Sequence, residues 1–307
     1  MGFTQFSVLS LIVLSSFIHG IYGARKLSSL YEPPPMLVSY HKGALLEGKL
    51  PVSILWYGRF SPSQKSIVAD FLLSLNPTKP IPSVEPSVSL WWKTVGNYMK
   101  KAGKKETQIV LSTQLSIENY PLGKMLKKSQ ITELTEKVNS ELGSVILVLT
   151  DKDVTVEGFC MSNCGFHGSN AKKNSAFIWV GNSETQCPGQ CAWPFHQPIY
   201  GPQTVPLVAP NGDVGLDGMV VNIASLLAGT VTNPFGNGYY QGSSGAYLEA
   251  ASMCPGVYGK GAYPGYAGDL LKDSGSGGSY NAQGVNGRKY LLPAIFDPST
   301  STCSTMV

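Results

Sequence analysis

The chain has 307 residues, 43% hydrophobic and only 14% charged, with 34 Gly, 21 Pro and a formal net charge of +4. That length can bury a good core as one large domain or two intimate ones, and the composition excludes a disordered chain. The small net charge, with no interleaving of basic and aromatic residues, argues against a nucleic-acid partner.

Residues 1–23 carry no charged side chain and contain the apolar run from Phe6 to Ile18. A membrane span needs about 20 apolar residues, so the run is too short for one. With Gly20, Tyr22 and Gly23 ahead of Ala24, it is predicted to be a secretory signal peptide cut near Gly23. Residues 24–48 read as an extended lead-in through Pro33-Pro34-Pro35, and 49–307 as a single domain. No later segment reads as long and apolar enough to span a bilayer, so no transmembrane span is expected in the mature chain.

Pro51 to Gly58 is an apolar, β-leaning run and is predicted to be a buried strand. Ser61-Pro62-Ser63-Gln64 opens a helix with a capping box and proline at its first position. Val88, Trp91, Trp92, Val95, Tyr98 and Met99 place a second amphipathic helix, whose tryptophans are expected in the core. Thr107 to Ile117 alternates as a strand. Ser129 is expected to cap a helix carrying Ile131, Leu134, Val138 and Leu142, and Ser144 to Thr150 is a strongly apolar central strand. The first half thus reads β-α-α-β-α-β: an α/β fold with a mixed sheet covered by helices.

The second half is loop-rich, with one clear strand at Ser175 to Val180. A short helix is predicted from Met219 to Ala228, with Asp217 capping its first turn and only Asn222 and Ser225 interrupting its apolar faces. The loop Thr232-Asn233-Pro234-Phe235-Gly236-Asn237-Gly238 follows, then Tyr239 and Tyr240. A further helix is expected within Gly242 to Cys254, and glycine- and tyrosine-rich loops fill the remainder.

The six cysteines, Cys160, Cys164, Cys187, Cys191, Cys254 and Cys303, form an even set, which in an exported chain implies disulfides. They allow about 15 pairings, among which sequence does not choose; the preferred one is Cys160–Cys164, Cys187–Cys191 and Cys254–Cys303. Cys160, Cys164 and His167, with Cys187, Cys191 and His196, superficially resemble a zinc site, but in an oxidising compartment disulfides are the expectation. No GxSxG elbow, phosphate-binding glycine motif or free thiol stands out, and no metal or cofactor is expected. Asp217, Glu249 and Asp269 are the carboxylates available to a hydrolase.

The run VGLDGMVVNIASLLAGTVTNPFGNGYYQG, with CGFHGS, GAYPGYAGDLL and SYNAQGVNGRKYLLPAIFDP, resembles the plant EXORDIUM family, also called phosphate-induced proteins, from about Ser39 to Val307. The resemblance implies a secreted, apoplastic, cell-wall-associated protein linked to brassinosteroid-dependent growth, cell expansion and responses to carbon or phosphate status, with no established enzymatic activity. The same stretch also resembles the HELxExxTDP helix of zinc peptidases, but with Ser225 and Gly229 at the ligand positions and Leu226 at that of the general base. A leucine and a glycine cannot coordinate zinc. The resemblance implies a zincin-like scaffold without its metal.

The expectation is a non-enzymatic protein that binds a cell-wall polysaccharide or a receptor-type protein partner. Asn233, Phe235, Asn237, Tyr239 and Tyr240 are its candidate binding residues, since amides and aromatic rings on a loop suit sugar stacking and hydrogen bonding. The alternative is a hydrolase acting on wall polymers or peptides. The lysines at 100, 101, 104, 105, 124, 127 and 128 offer a third surface, for acidic wall polysaccharide.

Overall fold

The apolar runs of the first half become the sheet of the computed structural model, which describes residues 36–77, 86–161, 163–170, 175–243 and 247–307. Leu37–Val307 form one compact unit. The expected signal peptide and residues 24–35 of the expected lead-in lie outside the described residues.

In chain order the elements that position the site are β1 (Ser39–Tyr40), β2 (Gly48–Tyr57), α1 (Pro62–Leu75), α2 (Val88–Lys101), β3 (Thr107–Ile117), β4 (Met125–Leu126), α3 (Lys128–Glu136), β5 (Val145–Thr150), β6 (Thr155–Val156), β7 (Gly165–Asn170), β8 (Ser175–Gly181), α4 (Pro188–Cys191), α5 (Val214–Thr232) and β9 (Tyr239–Tyr240). The central sheet has five strands in the order β3-β2-β5-β8-β7. Its pairs are parallel except for β7, which runs antiparallel to β8 at one edge. Continuous apolar runs such as Val145 to Leu149 suit strands covered on both faces.

The period of two sorts the side chains into two cores. Ile54 and Trp56 face the side covered by α1, α2 and α5, where Phe71, Trp91 and Met219 meet them. Leu55 and Tyr57 face the other side, with Ile131 and Leu134 of α3 and Trp179 of β8. The fold is therefore a mixed sheet between helical layers, and Trp91 and Trp92 are core residues. α1 carries the expected capping box: Gln64 N–H donates to Ser61 Oγ, and Ser61 N–H donates to Gln64 Oε1.

Several expectations are corrected. α3 is capped at Lys127 rather than Ser129, with the Lys127 N–H donating to Gln130 Oε1. It ends at Glu136, before a turn in which Gly143 has φ +74° and Leu142 is exposed. α5 begins a turn earlier than predicted because Asp213, not Asp217, accepts the Leu216 N–H at 2.9 Å. With 19 residues α5 is, contrary to the sequence reading, long and apolar enough to cross a membrane. All of it except Val214, Asn222, Ser225 and Leu226 is buried against the protein, as in a core helix. No helix forms in the described part of 242–254; Gln241 and Leu248 instead exchange backbone hydrogen bonds and the chain continues in turns.

The disulfides are Cys160–Cys187, Cys164–Cys191 and Cys254–Cys303, so the third preferred pair is correct and the other two are not. α4 carries Cys191 and is N-capped by Cys187, and it brings the two sulfurs side by side, 3.6 Å apart. Each bonds across to the turn bearing Cys160 and Cys164, tying segments 27 residues apart. All six thiols are consumed, so the cysteines of the zinc-like cluster are not ligands.

Candidate functional site around the Asn233–Tyr240 loop

The predicted loop caps α5 and is fixed from both sides. At its start the Asn233 N–H donates to Gly229 O at 2.7 Å, closing the helix. The Asn233 side chain, fully buried, accepts the Gly238 N–H at 2.7 Å on Oδ1 and donates Nδ2–H to Glu249 Oε1 at 2.6 Å. One amide thus closes the loop upon itself and ties it to the next segment.

The residues before β2 zip along the other edge. β1 pairs antiparallel with β9, Ser39 opposite Tyr240 and Tyr40 opposite Tyr239. His41 N–H donates to Gly238 O and Gly43 N–H to Asn237 O, both at 2.9 Å. Gly43 has to be glycine here, since a Cβ would stand 2.1 Å from Asn237 O.

These contacts divide the five candidate residues. Asn233 and Tyr239 are buried, contrary to their reading as exposed binding groups. Tyr239 stacks on Tyr40 at 4.7 Å, meets Tyr98 edge-on and donates its hydroxyl to Tyr98 O at 3.1 Å. Burial pushes its pKa up, keeping the hydroxyl a donor. Phe235 and Asn237 are exposed and Tyr240 half-buried. Tyr240 stacks nearly parallel on His41 at 3.8 Å and meets Tyr247 at 4.4 Å with the planes 52° apart. The face open to a ligand is therefore Phe235 and Asn237 beside a column of His41, Tyr240 and Tyr247.

Under the loop is a polar chain that sequence did not assemble. His167, on edge strand β7, places Nε2 2.9 Å from Glu249 Oε2. The Glu249 side chain occupies the space beside Gly229, where a Cβ would come 2.5 Å from Oε2. The carboxyl is thus shared by His167 and Asn233, while His167 Nδ1 is buried with no hydrogen-bond partner. Leu226 packs toward Gly165 of β7, where a Cβ would lie 2.7 Å from Leu226 Cδ1. His196, the other histidine of the zinc-like cluster, is exposed in the loop after Cys191, beside Gln197 O at 3.0 Å. Nothing in the sequence links His167 to Glu249, which stand 82 residues apart.

The three carboxylates proposed for hydrolysis have no partner in common. Asp217 is buried and accepts hydrogen bonds from Asn211 N–H and Nδ2–H. Burial pushes its pKa up to about 7 against those bonds. Asp269 is exposed and accepts the Tyr266 hydroxyl at 2.6 Å. The lysines are partly neutralised: Lys104 meets Glu47 at 3.0 Å and Lys124 pairs with Asp153. Among the described residues, no group of three or more His, Cys, Asp or Glu is placed to hold a metal ion.

The fold and this loop define a disulfide-stapled α/β protein whose central helix ends in a fixed aromatic and amide surface. Comparison with known proteins says which family that is. Residues 38–306 match the model of the phosphate-induced protein 1 conserved region. The chain is 58% identical to Protein PHOSPHATE-INDUCED 1 of Nicotiana tabacum, covering 99% of both chains. It is 57% identical to Protein EXORDIUM-like 2 of Arabidopsis thaliana over 91% of this chain and 93% of that one. With Protein EXORDIUM of Arabidopsis thaliana the identity is 56%, over 98% and 99%. No solved structure matches. The chain belongs to the phosphate-induced protein 1, or EXORDIUM, family.

Proposed function

We propose that this is a secreted, apoplastic, cell-wall-associated protein linked to brassinosteroid-dependent growth and cell expansion, and that it acts by binding a wall glycan or a receptor-type protein rather than by catalysis. The observation that carries this reading is the His41–Tyr240–Tyr247 column beside exposed Phe235 and Asn237, on a loop held by Asn233. Rigid aromatic faces with an adjacent amide bind without first ordering a mobile loop. The three disulfides are compatible with an oxidising, extracytoplasmic compartment. The growth-related part rests on the family resemblance, the relatives being named for phosphate induction and EXORDIUM.

The zincin-like ancestry belongs to the same proposal. A buried helix beside an antiparallel edge strand supports it, and at the ligand position Gly229 makes room for the Glu249 carboxyl. One observation favours the rival hydrolase: the His167–Glu249 pair can carry a proton. The test is a screen of the purified full-length secreted protein against wall glycans and receptor ectodomains. A bound partner lost in Phe235→Ala/Tyr240→Ala is the expected result. Binding that survives that double change contradicts the loop as its site.

A further inference from the structure

A second aromatic surface lies away from the loop and shares no residue with it. We propose that the groove between Trp193 and the Tyr263–Tyr266 turn binds a neutral glycan chain by stacking one pyranose ring at a time. Tyr263 is 66% exposed and Tyr266 36%, and Val205 beside them is 89% exposed. Single exposed apolar residues are ordinary; these share one concavity with Trp193.

The tyrosines are held rather than loose. Tyr263 and Tyr266 exchange backbone hydrogen bonds of 3.1 and 2.8 Å across a corner made by Pro264 and Gly265, the latter at φ +91°. Their ring centroids are 5.1 Å apart with the planes 38° from parallel. The Tyr266 hydroxyl donates to Asp269 Oδ1 at 2.6 Å, which fixes that ring. The opposite wall is tied down as well: Trp193 packs on buried Tyr258 at 5.7 Å, and Thr204 Oγ1–H donates to Gly265 O at 3.1 Å. The groove is open to solvent and holds about 140 Å³.

Charge complementarity selects the ligand. None of the residues lining the groove is charged. The Asp269 carboxylate, which accepts the Tyr266 hydroxyl, presents hydrogen-bond acceptors beside the tyrosine pair and repels anions. Sugar hydroxyls donate to such a group, whereas a uronate is repelled by it. A proline-rich peptide also stacks on aromatic rings, but proline has no N–H to offer the carboxylate. The fit is therefore to a neutral hexose polymer, and this inference stands whether or not the Asn233–Tyr240 loop binds anything.

Of the five tryptophans, Trp56, Trp91, Trp92 and Trp179 are buried and only Trp193 is partly exposed, so intrinsic fluorescence reports on this groove. The full-length protein is titrated with cellohexaose, a xyloglucan oligosaccharide, polygalacturonate and a proline-rich peptide. A saturable tryptophan signal with a neutral oligosaccharide is expected, at least tenfold weaker in Tyr263→Ala, retained in Tyr263→Phe and unmoved by Phe235→Ala. Tyr263 is exposed, so its truncation leaves folding intact, and matching melting curves confirm this. Equal binding by wild type and Tyr263→Ala overturns the proposal. So does a response only to polygalacturonate or to the peptide, or none to either neutral oligosaccharide.

Discussion

Replacing Asn233 by alanine tests whether one buried amide holds the candidate loop. The side chain is fully buried and makes two hydrogen bonds, to Glu249 Oε1 at 2.6 Å and from Gly238 N–H at 2.7 Å. Losing a bond to a carboxylate costs about 1.5–3 kcal/mol, and leaving the buried Gly238 N–H without a partner costs about 1–3 kcal/mol more. Glu249 retains His167, so its own loss is partial. The sum is about 2.5–6 kcal/mol, which for a unit of this size lowers Tm by roughly 10 °C. Phe235→Ala, at an exposed position, should stay within about 0.5 kcal/mol of wild type. Thermal and urea unfolding with disulfides intact measure both. A change below about 1 kcal/mol for Asn233→Ala, or a larger one for Phe235→Ala, would refute the assignment of Asn233 as the anchor and Phe235 as the open face.

A non-reducing digest should yield peptides linking Cys160 to Cys187 and Cys164 to Cys191, and none linking Cys160 to Cys164. Removing the Cys254–Cys303 bridge, which spans 49 residues, should cost about 4 kcal/mol by the loss of chain restriction in the unfolded state. Asp217 gives a pH signature. Its folded pKa of about 7 lies above its ordinary value of 3.8, so the folded state holds the extra proton between them and this group's contribution to stability falls as pH rises. The decline amounts to about 4 kcal/mol between pH 4 and 7 and then levels off; Asp217→Asn should remove that slope, and an unchanged slope in the variant would contradict it. Metal analysis of the purified protein should find zinc well below one equivalent. Stoichiometric zinc would count against the non-enzymatic reading.

The first half of the chain was legible because its signals are local. Pro51 to Gly58 and Ser144 to Thr150 are apolar runs, and Ser61 with Gln64 is a cap confined to four residues. What stayed hidden depends on partners far away in sequence. Gly218 and Gly229 bracket the helix predicted from Met219 to Ala228, yet each lies inside α5 where a Cβ would strike Ala192 or Glu249. They are packing contacts rather than breakers. β7 was missed because Gly165-Phe166-His167-Gly168-Ser169-Asn170 carries little β-branched or alternating character. Pairing with β8 makes it a strand. The candidate loop was identified from its composition, but composition cannot tell that Asn233 and Tyr239 point inward while Phe235 and Asn237 point out.

Whether this fold binds wall components or cuts them is most directly measured by incubating the purified protein with isolated wall polymers and following retention and released products together. Reversible retention with no product is expected, weakened when exposed Phe235 or Tyr263 or half-buried Tyr240 is truncated. Product release that disappears in Glu249→Gln would contradict it.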